Sequence, residues 1–190
     1  MRRGILGGTF DPPHLAHLVA GEAAYRELGL DVITFLPAGR PGQKAGLGVS
    51  GAAHRWEMTR RAVEGIRYFE ADEREVARDA WTYTADTLDT FPDAEDLVLI
   101  LGADAAVGLP TWQRPQAVLR RARLAVMGRA GVGRPAVEAA VGEVHWLDAP
   151  LLAISGTLLR ARHRGGLSIR FLVPDPVLAY IESNGLYADG

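Results

Sequence analysis

The sequence predicts an α/β fold, an open, doubly wound sheet of parallel strands with helices on both faces. Two observations carry this. Short apolar runs alternate with longer segments of helical period along the chain, and one run, 97–101 (LVLIL), is continuously apolar and closed by Gly102, the pattern of a strand buried on both faces.

The elements follow in order. Ile5 and Leu6 begin a first strand that ends at Gly7 and Gly8. Residues 17–28 have helical period, with Gly29 as the C-terminal stop. Residues 32–36 (VITFL) form the next strand, and 37–49 a loop rich in Gly and Pro. Ser50 can cap a helix in which Trp56, Thr59, Val63 and Ile66 fall near one face. A helix over 84–91 precedes the 97–101 strand, and 124–127 and 144–147 are two more strands. Ser155 and Asp175 are the expected caps of two last helices, with Pro176 at the first helical position of the second. About five strands result, and in such sheets ligands bind beyond the carboxyl ends of the strands, where the strand order reverses.

A chain of 190 residues suits one domain over 1–190 with a real core. With 48% hydrophobic and 23% charged residues it has an ordinary globular balance. A net charge of -2 argues against a nucleic-acid-coating surface, so any phosphate binding must be local. The absence of cysteine excludes disulfides, thiolate metal sites and cysteine nucleophiles. The apolar start is too short for a signal-peptide core, and no segment approaches the ~20 apolar residues of a membrane span. A cytoplasmic setting without a membrane partner is the expectation.

The segment Gly7-Gly8-Thr9-Phe10 joins a strand to a helix, where glycines let backbone approach a ligand and free N–H groups can hold an anion. It is neither a dinucleotide fingerprint nor a P-loop. His14 and His17, three apart at the helix entrance, can face one phosphate and donate hydrogen bonds to it; two surface histidines on a turn is the plainer alternative. Two histidines do not complete a zinc site, and His54, His145 and His163 are scattered. Lys44, in the Gly-rich loop, could close over phosphates or be simply solvated. Arg160 follows Ser155 by a turn or so and can reach the same helix N-terminus, where Ser155 and Thr157 offer hydroxyls and N–H groups. Asp104, beyond Gly102, could accept a ribose hydroxyl or cap a helix. Trp112 could stack on a ring or be core or rim. Arg129, after the 124–127 strand, is a candidate phosphate contact, whereas Arg120, Arg121 and Arg123 read as a solvated helix face.

The string GGTFDPPHLAH at 7–17 resembles the first motif of the bacterial nicotinate-nucleotide adenylyltransferases, a branch of the nucleotidylyltransferases that carry His-x-Gly-His. Further resemblances follow in order: Pro41-Gly42-Gln43-Lys44, His54-Arg55, the segment TYTADTL at 82–88, Leu101-Gly102-Ala103-Asp104, Thr111-Trp112, ISGTLLR at 154–160, and the terminal helix region 173–187. They cover nearly the whole chain.

The resemblance implies a Rossmann-like, nucleotidylyltransferase-type sheet with a C-terminal helical segment. It implies transfer of the adenylyl group of ATP to nicotinate mononucleotide, with Mg²⁺ carried on ATP. The expected catalytic set is His14, His17, Lys44 and Arg160. ATP would meet Gly7, Gly8, Thr9, Phe10, Gly102, Asp104, Ile154, Ser155 and Thr157. Tyr83, Thr84, Trp112 and Arg129 would meet the pyridine nucleotide. Two positions depart from the family pattern: Ala16 stands where Gly is usual, and Gly156 where Ser or Ala is commoner. Nicotinamide mononucleotide is the nearest competing substrate, pantetheine-phosphate adenylyltransferase a more distant relative, and a nucleotide sensor that has lost catalysis the alternative from another class.

Overall fold

A computed structural model describes residues 1–39, 49–78 and 81–188. Six strands form one sheet: β1 (Arg2–Gly8), β2 (Val32–Pro37), β3 (Phe69–Ala71), β4 (Asp96–Gly102), β5 (Ala122–Met127) and β6 (His145–Leu147). Their order is β3-β2-β1-β4-β5-β6, and every pairing is parallel. The expected doubly wound sheet is present, and its order reverses between β1 and β4. That is where a crevice opens at the strands' carboxyl ends.

Alternation along β4 explains the unbroken apolar run. Leu97, Leu99 and Leu101 join the core on one face, while Val98 and Ile100 join the core on the other. The first face is covered by α3 (Thr84–Leu88), α4 (Ala103–Gly108), α5 (Pro115–Arg121) and α6 (Arg134–Val141). The second face is covered mainly by α1 (Leu15–Leu28), whose Ala20 and Ala24 are buried against Phe35 and Ile33. Gly29 ends α1 in the left-handed conformation, as its glycine suggested. A third cluster joins α2 (Ala52–Val63), α7 (Gly156–Arg164) and α8 (Asp175–Ser183) through Met58, Ala62, Leu159, Val177 and Ile181. No helix among the described residues is long and apolar enough to cross a membrane.

Several local expectations are corrected. β3 has three residues, too few for a period-2 signal, and brings the strand count to six. Helix α1 starts at Leu15 with His14 as cap, so His17 lies inside its first turn. Gly51, not Ser50, caps α2, because the Ser50 amide is drawn to the Asp11 carboxylate at 3.1 Å. The buried face of α2 is Arg55, Met58, Thr59, Ala62 and Val63, leaving Trp56 half-buried at its side. Helix α3 ends at Leu88, and the chain to Phe91 continues in tight turns. Arg120 and Arg121 are helical, but Arg123 belongs to strand β5. Pro174 caps α8, leaving Asp175 in the first turn, where its charge suits the positive helix end.

Candidate active site

The first motif leaves β1 at the switch point. Gly7 faces open space, whereas a side chain on Gly8 would meet the Phe10 ring at 3.1 Å. Phe10 takes a left-handed backbone conformation, φ 49°, uncommon for a bulky residue and held here because its ring is fully buried against His17 and Phe35. Its expected contact with ATP can therefore come only from backbone; the side chain belongs to the core.

His14 and His17 stack with ring centroids 3.7 Å apart. The His14 backbone N–H donates to His17 Nδ1 at 3.1 Å. That bond makes Nδ1 an acceptor and leaves the ring proton of neutral His17 on Nε2. His14 is 3% exposed, and its Nδ1 is buried with no hydrogen-bond partner among the described residues. Burial, and then the charge of Arg129, lower its pKa from 6.5 to about 4, so its ring is neutral at pH 7.

Arg160 is delivered by α7. Ser155 caps that helix as expected, its Oγ accepting the Leu158 N–H at 3.2 Å. Arg160 Nη1 donates to the Asp11 carbonyl at 2.7 Å and lies 3.5 Å from the Asp11 carboxylate. It is thus fixed to the loop that leads into the helix carrying the histidines. Gly156 explains itself here: a Cβ would sit 2.7 Å from the Asp11 carbonyl oxygen and 3.1 Å from Arg160 Nη1. Ile154 is buried in the third cluster and can offer only backbone, while Thr157 is exposed on the first turn. Ala16 packs against the same cluster.

Across the switch point, Gly102 caps α4 and Asp104 stands exposed in its first turn, so Asp104 is not the cap. Its carboxylate lies 3.5 Å from Arg129 Nε. Arg129 therefore stands beside Asp104 and acts on His14; it does not line the cavity that holds Thr84 and Trp112. That cavity, of about 150 Å³, is lined by Gly7, Gly8, Leu36, Leu99, Thr84 and Trp112 among others. Tyr83 is exposed on the surface next to Thr84. Lys44 lies outside the described residues.

Three further residues frame the site: Asp11 and Arg55 stood in the sequence only as members of matched motifs, without a role, and Glu75 was not singled out. Asp11, inside the first motif, accepts Tyr187 Oη at 2.6 Å as well as the Ser50 amide. Arg55 is 1% exposed and donates to the carbonyls of Ser50, Thr9, Ala38 and Gly39. Glu75, 7% exposed, lines the cavity. Arg55 was within reach of periodicity, since it precedes Met58, Thr59 and Ala62 by helical steps; Glu75 sits in a polar run and had no such signal.

Glycine-ended parallel strands with neutral imidazoles and a fixed guanidinium at their switch point define a protein that handles nucleotide phosphates on an α/β scaffold. The cytidylyltransferase-like family model matches residues 5–162. A Salinibacter ruber protein named "Probable nicotinate-nucleotide adenylyltransferase" is 40% identical over 98% of each chain. One of the same name from Desulfitobacterium hafniense is 39% identical, over 98% of this chain and 95% of that one. The solved structure of Plasmodium falciparum nicotinic acid mononucleotide adenylyltransferase complexed with NaAD is similar in fold, with TM-score 0.82 and 17% identity, covering 98% of this chain and 97% of that one. The chain belongs to the nicotinate-nucleotide adenylyltransferases, nucleotidyltransferases within the cytidylyltransferase-like family.

Proposed function

We propose that this protein, acting as a single domain over 1–190, transfers the adenylyl group of ATP to nicotinate mononucleotide, giving nicotinate adenine dinucleotide and pyrophosphate. The histidine pair carries the reading. His17 carries its ring proton on Nε2, and His14 holds a buried Nδ1 with no partner among the described residues, both at the entrance of α1. Neutral donors in that position suit phosphate oxygens whose charge grows during transfer.

No covalent intermediate is needed. An anionic phosphate oxygen of the mononucleotide forms a bond to the α-phosphorus of ATP. The bond from that phosphorus to the bridging oxygen breaks, and the electron pair leaves on pyrophosphate. The protein aligns the two nucleotides and offsets their like charges. His14, His17 and Arg160 take the phosphates in this reading, with Arg129 moved to their side. Lys44 enters from the sequence alone, as the cation that closes over the triphosphate. Backbone of 7–10 and of Ile154, with Ser155 and Thr157, would meet ATP, and Asp104 the ribose. Thr84 and Trp112 would hold the pyridine ring, with Tyr83 at the edge.

ATP is used with a divalent metal ion in this family, and Mg²⁺ is the ion we assign. The carboxylates near the histidines, Asp11 and Asp104, are engaged by Arg160, Tyr187, the Ser50 amide and Arg129. No cluster of three or more metal-ligating side chains is present among the described residues, which suits an ion already carried on the triphosphate. Bound there, the ion would neutralise charge on the departing pyrophosphate. We place the reaction in the cytoplasm.

Gly156 stands where Ser or Ala is commoner in the family, and its contact with Asp11 accounts for that glycine without reference to substrate. The test is pyrophosphate release from ATP with nicotinate or nicotinamide mononucleotide, side by side. Faster release with nicotinate is expected. Equal rates would overturn the preference, and no release with either would overturn the enzymatic reading.

A further inference from the structure

We infer that Glu75 is the counter-ion of the substrate's pyridinium ring, and that it selects a cationic, N-glycosylated pyridine over a neutral ring of the same shape. The inference rests on the reading of the 150 Å³ cavity as the pyridine site.

The size of that cavity is the first observation. An apolar cavity of about 150 Å³ accommodates one six-membered ring, as benzene does in engineered cavities. Ile5, Leu36, Leu99 and Leu101 supply apolar wall, Trp112 an aromatic ring, and Glu75 the one acidic side chain of the lining among the described residues.

The second observation is how Glu75 is held. Its Oε1 accepts Thr87 Oγ1 at 2.7 Å and its Oε2 accepts Thr82 Oγ1 at 2.8 Å. The Gly39 amide is a third donor, and a side chain on Gly39 would collide with the Glu75 carbonyl at 2.2 Å. All three donors are neutral. Arg78 and Arg55 act on the carboxylate through space, and among the described residues neither is an ion-pair partner. Arg55 is already committed to four backbone carbonyls.

A nearly buried carboxylate without an ion pair is costly, since its desolvation is not repaid by an opposite charge. A pyridine mononucleotide supplies that charge. Its ring nitrogen is quaternary through the glycosidic bond, and the positive charge is spread over the ring atoms. A ring in this cavity would bring its cation to Glu75 and to the face of Trp112, which attracts cations in the same way. Burial pushes the Glu75 carboxyl above its ordinary range, and the hydrogen bonds from Thr87, Thr82 and Gly39 and the charge of Arg78 pull it back. An arriving cation would favour the ionised form further.

Reducing the ring to its 1,4-dihydro form removes the positive charge and keeps the outline, so it separates charge from shape. The experiment measures kcat/KM for oxidised and 1,4-dihydro nicotinate mononucleotide at saturating ATP, in the unmodified protein, Glu75→Gln and Glu75→Asp. The unmodified protein should favour the oxidised form by roughly tenfold or more, about 1.4 kcal/mol. Glu75→Gln should raise KM for the oxidised form by about that factor, leaving KM for ATP and the dihydro form unchanged. Glu75→Asp should restore the preference. Equal loss for both forms in Glu75→Gln would make Glu75 a brace for Thr82 and Thr87 and overturn the inference. If Glu75→Gln fails to fold, the unmodified protein decides, and a ratio near one overturns it. Failure to release pyrophosphate with either form would instead overturn the proposed function.

Discussion

His14 makes stability depend on pH in a way that can be isolated. Its pKa falls from 6.5 to about 4 on folding, first because the ring is buried and second because Arg129 is near. Between those values the unfolded chain binds a proton that the folded chain refuses. Stability therefore rises with pH: the contribution is whole above 6.5 and is lost as pH falls to about 4. The span corresponds to roughly 3 kcal/mol, a large share of an ordinary domain's stability. Other groups titrate in the same range, Glu75 with the opposite slope because its pKa is raised. A difference between two proteins removes them. Asn at 14 cannot titrate and is itself a good helix cap, so His14→Asn should fold. Urea unfolding of both proteins from pH 8 to pH 4 gives the difference directly. It should be flat above pH 7 and shift by roughly 3 kcal/mol in the variant's favour by pH 4. A difference that stays constant over the whole range would mean that His14 titrates as an exposed histidine, and would refute the burial argument.

His17→Ala removes a donor that the proposed mechanism assigns to the phosphates, so pyrophosphate release should slow by about 10²–10³-fold while circular dichroism stays native; an unchanged rate would remove His17 from the reaction. Gly156→Ala places a methyl 2.7 Å from the Asp11 carbonyl; it should cost about 1–3 kcal/mol in urea unfolding and slow turnover by displacing Arg160. Ala16→Gly restores the usual family residue, but Ala16 packs on the third cluster. The change should therefore cost about 1 kcal/mol of stability and leave KM for ATP unchanged, where a fall in KM would show that the methyl faces the nucleotide.

The parallel sheet was readable because its central strands are buried on both faces, and β4 in particular leaves no polar residue in its run. β3 was not, since Phe69, Glu70 and Ala71 present neither alternation nor a run. The short helices α4 and α6 escaped for the same reason, each being under nine residues and offering barely two helical turns of periodicity, and α5 showed only as the helix face of Arg120 and Arg121. In the site, the histidines and Arg160 were legible as residues whose chemistry suits phosphate. Their supports were not. Asp11 acts through neighbours 39 to 176 residues away and Glu75 through threonines 7 and 12 residues on, and spacing along the chain carries no trace of such partners. Arg129 was legible as a phosphate contact from its strand end, and β5 delivers it beside Asp104, outside the cavity that holds Thr84 and Trp112.

The motifs at opposite ends of the chain are one structure because of two buried polar residues. Asp11 receives Arg160 from α7, Tyr187 from beyond α8, and the Ser50 amide from the start of α2. Arg55 gathers the carbonyls of Thr9, Ala38, Gly39 and Ser50, thus holding both ends of the chain that leads into and out of 40–48. The Gly39 carbonyl would otherwise be buried without that donor, at a cost comparable to a lost hydrogen bond, and the other three bonds are partly shielded from water. Neither an apolar residue nor a lysine could serve four acceptors spread around one plane, whereas a guanidinium has five N–H groups in a fixed fork. The fork converts four loose loop ends into a rigid frame before any nucleotide arrives. For a reaction in which positioning does most of the work, a frame built in advance lowers the entropy left to be lost on reaching the transition state. That is why residues that need not touch the reacting atoms occupy the most buried places around them.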